Sequence, residues 1–348
     1  MSVIRVAVVG AGVIGRTHIE TLGKSDGFAL SAIVDPAPGA PRLAAEHGVP
    51  HFPDIEGLLE ARAADAVIVA SPNHTHVPYA TLLLEAGIPV LLEKPVANEA
   101  ADAERLVAAV ERTGVPLLLG HHRRHNPIIK AAKAAIEAGR IGEMVTAVVN
   151  STLAKPAAYF NAEWRRTPGQ GGPLAINMSH EIDLLRHFFG EAASVRAVVS
   201  HARRNSPVED TASAIITFRS GGIASLTISD ASCGPWAWDL SAGEAPARFP
   251  AHDISAHIYS GTKAGLSLPD LGLWTYSGAE PDWETEQRRE TLTYIPAPVY
   301  MEQLKQFADV IRKGATPLVT CADGLANMRI IDAMRASAAS GREVVLTG

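Results

Sequence analysis

Cysteine is scarce. Cys233 and Cys321 are the only two in 348 residues, without metal spacing or a disulfide framework, so a reducing cytoplasm is the simplest home. The chain also lacks any apolar run of about 18 residues, which excludes a membrane-spanning helix. Positive charge is not in excess: 31 Lys and Arg against 37 Asp and Glu give −6, which argues against a nucleic-acid or anionic-membrane partner. No internal repeat, low-complexity tract or cleavable leader is visible, since "MSVIRVAVVGAG" runs straight into a strand and a glycine turn. The remainder is ordinary soluble-globular composition, 47% hydrophobic and 20% charged, in a chain long enough for two domains.

Short apolar runs alternate with helical patterns up to about residue 120. "RVAVVG" (5–10), "ALSAIVD" (29–35), "DAVIVAS" (65–71), "PVLLEK" (89–94) and "PLLLGH" (116–121) read as strands, with helical stretches such as 74–86 and 99–113 between them. Continuous Val/Ile/Leu runs joined by helices describe a parallel sheet covered on both faces. Gly10-Ala11-Gly12-Val13-Ile14-Gly15 is G-x-G-x-x-G after a strand and before a helix. Its glycines serve a tight turn, close approach to a pyrophosphate and close helix–strand packing, and the helix N-terminus supplies N–H groups to phosphates. Asp35, twenty residues beyond Gly15, ends the second strand, where a carboxylate accepts from a ribose diol and repels a 2′-phosphate. NAD is the expected cofactor.

From about residue 143 the pattern turns to alternating, β-branched stretches: 143–152, 194–203, 210–220 and 222–229, the last two joined hairpin-fashion by "SGG". This predicts an antiparallel sheet with a helix over about 173–189 on one face. On a wheel, Leu174, Met178, Ile182, Leu185 and Phe189 form that helix's apolar stripe, while Ile176, Asn177, His180, Asp183, Leu184 and His187 collect on the other side. The segment 235–255 reads as irregular. Two further helices, about 299–313 and 322–339, and a short "REVVLT" strand close the chain. The expected domains are 1–122 and 123–348, with the side to which the last helices return left open.

"EKP" (93–95), "GHHRRHNP" (120–127), "SPNHTH" (71–76) and "GGPLAINMSHEID" (171–183), together with the glycine motif, make the chain resemble the glucose–fructose oxidoreductase / inositol dehydrogenase / MocA family along nearly its whole length. "GTKAGLSLPDLGLW" (261–274) resembles a strand motif of that family's second domain. The resemblance implies a doubly wound N-terminal Rossmann domain and a C-terminal α/β domain with a large, mostly antiparallel open sheet. It implies assembly into a homodimer or homotetramer through that sheet. It also implies hydride transfer between a nicotinamide and a hydroxyl of a sugar, cyclitol or cyclic diol, with Lys94 and His180 as catalytic residues. One position departs from the pattern: inositol-type dehydrogenases carry Asp four residues before the histidine, where this chain has Ile176.

The chemistry of these residue types agrees. An ammonium at a strand's carboxyl end stabilises a developing alkoxide, and an imidazole titrates near neutrality and takes a hydroxyl proton. Gly10, Gly12, Val13, Ile14, Gly15, Asp35, Ser71, Asn73, His76, Glu93 and Lys94 are the expected cofactor contacts. Asn177, Arg123, Trp164, Arg165 and Asp183 are expected at the substrate, with Asp183 able to fix the tautomer of His180 three residues before it. His121, His122 and His125 are not read as a metal site, because hydride transfer needs none. Trp236 and Trp238 on alternate positions are either core or a stacking surface for a sugar. Two other functions remain open, an NAD-using glycosidase or lyase with transient oxidation and a non-catalytic NAD-binding regulator; retention of both Lys94 and His180 argues against the regulator.

Overall fold

Period-two packing on both faces of one sheet explains the continuous apolar runs of the first third. The structure is a computed structural model that describes residues 2–278 and 280–347. The chain forms two compact units, Met1–His125 with Pro298–Met328, and Asn126–Ala297 with Arg329–Gly348.

In the first unit, β1 (Ile4–Val9), β2 (Phe28–Val34), β3 (His51–Phe52), β4 (Ala66–Val69), β5 (Val90–Leu92) and β6 (Leu117–Leu119) lie in the order β3-β2-β1-β4-β5-β6. All these pairings are parallel. The order reverses between β1 and β4, the switch point at which such sheets bind nucleotides. Helices α1 (Val13–Leu22), α2 (Ala40–Glu46), α3 (Ile55–Ala61), α4 (His76–Glu85) and α5 (Ala100–Thr113) connect the strands. Val67, Val69, Val90 and Leu92 pack into the core under α4 and α5, while Ile68, Leu91 and Leu118 pack with Ile19 and Leu22 of α1. Every second residue serves a different core, so neither face has room for a polar residue.

In the second unit, α6 (Pro127–Glu137) leads into β7 (Met144–Thr152), and a π-helical turn at Leu174–Met178 leads into α7 (Ser179–Phe189). There follow β8 (Ala192–Ser200), β9 (Thr211–Phe218), β10 (Ile223–Ser229), a short α8 (Trp238–Ser241), β11 (His257–Gly261), β12 (Ala264–Leu268), β13 (Gly272–Tyr276), β14 (Gln287–Thr291) and β15 (Val344–Val345). The described strands make one sheet, β14-β13-β12-β11-β7-β10-β9-β8-β15, antiparallel except for the β10–β7 pair. Gly221, at φ +91°, turns the expected hairpin between β9 and β10. Leu174, Met178, Ile182, Leu185 and Phe189 all enter the core on one face of this sheet.

The opposite face is open and apolar. Ile258, Val148, Ser225 and Ile215 stand side by side across β11, β7, β10 and β9, and the three hydrophobic members are exposed.

Finally, α9 (Val299–Lys313) packs in the first unit, where Phe307 stacks on Phe28 with ring centroids 6.4 Å apart. The first residues of α10 (Cys321–Ser340), to Met328, belong to the same unit. The change of unit therefore falls at 125/126 and not at 122/123. The sequence gives the reason: Asn126 caps α6 by accepting from the Ile128 N–H at 2.8 Å, with Pro127 in the first helical turn. Arg124 is held in the first unit by Asp323 at 3.3 Å.

Candidate active site

The nucleotide loop is built by three glycines for three different reasons. Gly10 has φ +93°, and a Cβ there would lie 2.5 Å from the Ala70 carbonyl oxygen. On Gly15 a Cβ would lie 1.9 Å from the Gly10 carbonyl oxygen, so α1 could not cross the turn as closely. On Gly12 it would meet no described atom within 4 Å, which leaves an open cradle at the start of α1. Val13 and Ile14, 73% and 36% exposed, stand at its mouth. The Asp35 carboxylate accepts from the Ala11 N–H at 2.6 Å and the Ala37 N–H at 2.7 Å, so it also braces the loop. The open cradle, the N–H groups of the first helical turn and the adjacent carboxylate fit a dinucleotide.

Ser71 and Asn73 follow β4, and Asn73 opens a 3-10 turn, Asn73–Thr75. His76 was expected at the cofactor, but the structure turns it inward. Its Nδ1 lies 2.7 Å from the Pro95 carbonyl and its Nε2 3.0 Å from the Ser71 carbonyl. Burial lowers its pKa, although both carbonyl contacts favour the charged ring.

Pro95 belongs to the Lys94 loop at the carboxyl end of β5, and Glu93 on the other side is anchored as well. Its Oε1 lies 2.9 Å from Nε2 of His18, a residue of α1 that is fully buried. Its Oε2 accepts from the Lys94 N–H at 3.3 Å. Burial pushes the Glu93 carboxyl up, but the hydrogen bond and charge of His18, with His122 and Lys94 nearby, hold it below the usual carboxylate range. Glu93, expected at the cofactor, thus spends its carboxylate on the protein. Half-buried Lys94 stands between two fastened neighbours, one tied to the nucleotide helix and one to α4.

His18 was missed by the sequence reading, though its signal was there. It shares one buried face of α1 with Gly15, Ile19 and Leu22, and a polar residue on such a face requires a partner. Beyond β6, Arg123 and Arg124 are both buried in the 3-10 turn His122–His125 and do not lie on an open wall. His122 stacks on Tyr300 at 5.0 Å, and His121 Nε2 is 3.4 Å from Asn327 Nδ2. Among the described residues no three His, Cys, Asp or Glu side chains converge on one point.

The second unit holds the other expected residues. The glycines of "GGP" are again required by close approach: a Cβ on Gly171 would meet the Arg165 carbonyl oxygen, and one on Gly172 the Glu209 carboxylate. That carboxylate accepts from the Leu174 N–H at 2.9 Å and so starts the helical segment. Leu174–Met178 is a π-turn, which corrects the uniform wheel over 173–189: one more residue occupies that turn, so 100° per residue does not carry across Met178. Asn177 Oδ1 accepts from Lys155 Nζ at 2.6 Å, a partner the sequence reading did not find. His180 and Asp183 are both buried. Glu181 Oε2, also on α7, lies 3.0 Å from His257 Nε2 of β11, and His257 Nδ1 lies 3.1 Å from the Tyr259 hydroxyl of the same strand.

Trp164 is exposed, and the Arg165 guanidinium lies 3.9 Å from the centroid of Tyr159 and 5.2 Å from that of Trp164. Trp236 and Trp238 do not share a side. Trp238 is fully buried at the start of α8 and Trp236 is 44% exposed, because the chain turns helical between them.

Residues 4–121 match the oxidoreductase family with NAD-binding Rossmann fold, Gfo/Idh/MocA, and residues 133–346 match its C-terminal alpha/beta domain. The chain belongs to this family. It is 28% identical to scyllo-inositol 2-dehydrogenase (NAD(+)) of Bacillus subtilis (strain 168) over 365 residues, covering 99% of this chain and 96% of that one. It is 38% identical to inositol 2-dehydrogenase 1 of Saccharopolyspora erythraea over 208 residues, 58% of this chain and 59% of that relative. In structure it is similar to the WlbA dehydrogenase from Bordetella pertussis in complex with NADH and UDP-GlcNAcA, with a TM-score of 0.79, 25% identity and full coverage of both chains. No described helix is long and apolar enough to cross a membrane.

Proposed function

We propose that the protein is an NAD-dependent dehydrogenase that exchanges a hydride with the CH–OH carbon of a sugar, cyclitol or cyclic diol. The observation that carries this reading is the open cradle at Gly12 together with Lys94, whose loop is tied through Glu93 and His18 to the helix that forms the cradle. Bound NAD supplies the hydride acceptor. Lys94 donates a hydrogen bond to the reacting hydroxyl and stabilises the alkoxide as it forms. His180 takes the hydroxyl proton. Asn177, its oxygen fixed by Lys155, turns its N–H2 to the substrate, and Trp164 and Arg165 border the same ligand. The related inositol dehydrogenases, and the WlbA dehydrogenase in complex with NADH and UDP-GlcNAcA, support the substrate class. A panel of polyols, sugar acids and dihydrodiols with NAD⁺ tests the reading. A dehydrogenase accumulates NADH, read by its absorbance; product formed without NADH would mean a glycosidase or lyase, and no product with any member a regulator.

The cofactor preference follows from Asp35. A carboxylate offers about four acceptor positions, so the bonds to Ala11 and Ala37 leave it able to accept from a ribose diol. A 2′-phosphate there meets like charge. The expected ratio of kcat/KM for NAD over NADP is at least about tenfold, or about 1.4 kcal/mol. Equal use of both cofactors would remove Asp35 from the ribose.

The apolar row Ile258, Val148 and Ile215 supports assembly of this chain into a homodimer or homotetramer through the open sheet. Light scattering after gel filtration is expected to give a multiple of the chain mass, and the Val148→Glu, Ile215→Glu double variant a monomer. A monomeric wild type contradicts this assembly.

A further inference from the structure

His18 is a polar ring on a face of α1 that packing alone would leave apolar. It shares that face with Gly15, Ile19 and Leu22, and it is fully buried. Its Nδ1 has no hydrogen-bond partner among the described residues, so the imidazole offsets its burial through Nε2 alone. That nitrogen meets Glu93 Oε1 at 2.9 Å. The Glu93 carboxyl is held below the usual carboxylate range. A carboxylate only accepts, so Nε2 carries the proton and donates it. Tyr300 of α9 packs edge-on against the ring, with centroids 5.4 Å apart and planes at 84°, which restrains the direction in which Nε2 points.

Glu93 is confined from two further sides. Its Oε2 accepts from the Lys94 N–H at 3.3 Å. At the end of β6, Gly120 lies against it: a Cβ there would be 2.9 Å from the Glu93 Cα and 3.0 Å from its carboxyl carbon. The Gly120 N–H also donates to the Leu92 carbonyl at 2.7 Å, which holds the two strand ends together. Among the described residues, His18 is the one side chain that hydrogen-bonds the Glu93 carboxylate. One carboxylate thus joins the buried face of α1 to the peptide unit from which Lys94 projects. Take the imidazole away, and a buried carboxylate keeps a single long bond to the backbone.

We propose that His18 is a positioning residue for hydride transfer: it orients Glu93, and Glu93 sets the peptide unit that presents the Lys94 side chain. Being fully buried, His18 acts through Glu93 and not by touching a ligand. The proposal rests on the dehydrogenase reading for its effect on rate, but not for its effect on the Lys94 loop.

Hydrogen exchange followed by mass spectrometry, without cofactor or substrate, reads the loop by itself. In His18→Leu the segment 92–97 is expected to exchange about tenfold faster than in wild type, while α1 keeps its protection. His18→Gln, whose amide N–H2 can donate to Glu93, is expected to restore most of that protection. In turnover, His18→Leu is expected to lower kcat by about 10- to 100-fold, with KM and the NADH affinity within about threefold of wild type. Glu93→Gln tests the route: two N–H donors face this side chain, and an amide has one acceptor oxygen, so one of the two contacts must break. It is expected to loosen 92–97 and lower kcat as His18→Leu does, and to do so even if His18→Leu fails to fold. Adding His18→Leu to Glu93→Gln is then expected to lower kcat by less than about twofold more, because the route is already cut. Wild-type exchange at 92–97 in His18→Leu or in Glu93→Gln overturns the proposal, as do losses that multiply in the double variant. Absence of turnover with every substrate would overturn the dehydrogenase reading, and the exchange at 92–97 would still decide for or against His18.

Discussion

Lys94→Ala and His180→Ala each lower kcat by about 10²–10⁴, while NAD affinity stays nearly unchanged. The expectation for Lys94 comes from its surroundings. The residues before and after it are clamped, Glu93 by His18 at 2.9 Å and Pro95 by His76 at 2.7 Å. A backbone held on both sides presents one side chain in one place, as a positioned general acid or alkoxide stabiliser requires. His180 lies on α7, whose neighbouring Glu181 is fastened to His257 at 3.0 Å. An imidazole accepts a hydroxyl proton near neutral pH, which is the role proposed for His180. Neither residue belongs to the glycine cradle, so a fluorescence titration with NADH should find both variants close to wild type. A variant with wild-type turnover would return that residue to a structural role.

Gly15→Ala is expected to weaken NAD binding by at least about 10- to 100-fold. The added methyl would sit 1.9 Å from the Gly10 carbonyl oxygen and 2.9 Å from its carbonyl carbon. Both are backbone atoms of the phosphate turn, so the overlap is relieved only by moving α1 or the turn itself. Overpacking of this kind costs about 1–3 kcal/mol, and each 1.4 kcal/mol withheld from the bound state is about tenfold in affinity. Gly12→Ala makes the control. Its methyl meets no described protein atom within 4 Å, so it should fold normally and lose affinity only where the cofactor itself would lie. Unchanged affinity in Gly15→Ala would mean that the cradle is not where the dinucleotide binds.

The parts of the molecule that were legible beforehand are those in which a local pattern has a single physical solution. Runs such as "DAVIVAS" belong to a sheet covered on both faces, and Val67, Ile68 and Val69 do alternate between two cores. The glycine motif was legible because its steric reasons are local. His18 was legible in principle from the face it shares with Ile19 and Leu22. Other features depend on partners distant in sequence. Nothing near Lys155 announces Asn177, 22 residues away. The π-turn at Leu174–Met178 has the same apolar spacing as an α-helix, so the wheel could not find the extra residue. The surroundings of His76 and Arg123 depend on distant partners as well: backbone carbonyls of Pro95 and Ser71 hold His76, and Arg123 is buried. β3, with two residues, is too short for any periodicity to reveal.

The central claim is net hydride transfer from a substrate carbon to NAD. It is tested most directly with the best substrate of the panel deuterated at its CH–OH carbon, followed by mass spectrometry of the nicotinamide product. The account predicts NADH that accumulates in step with oxidised product and carries one deuterium on its nicotinamide ring. Product formed with no deuterated NADH accumulating would contradict it.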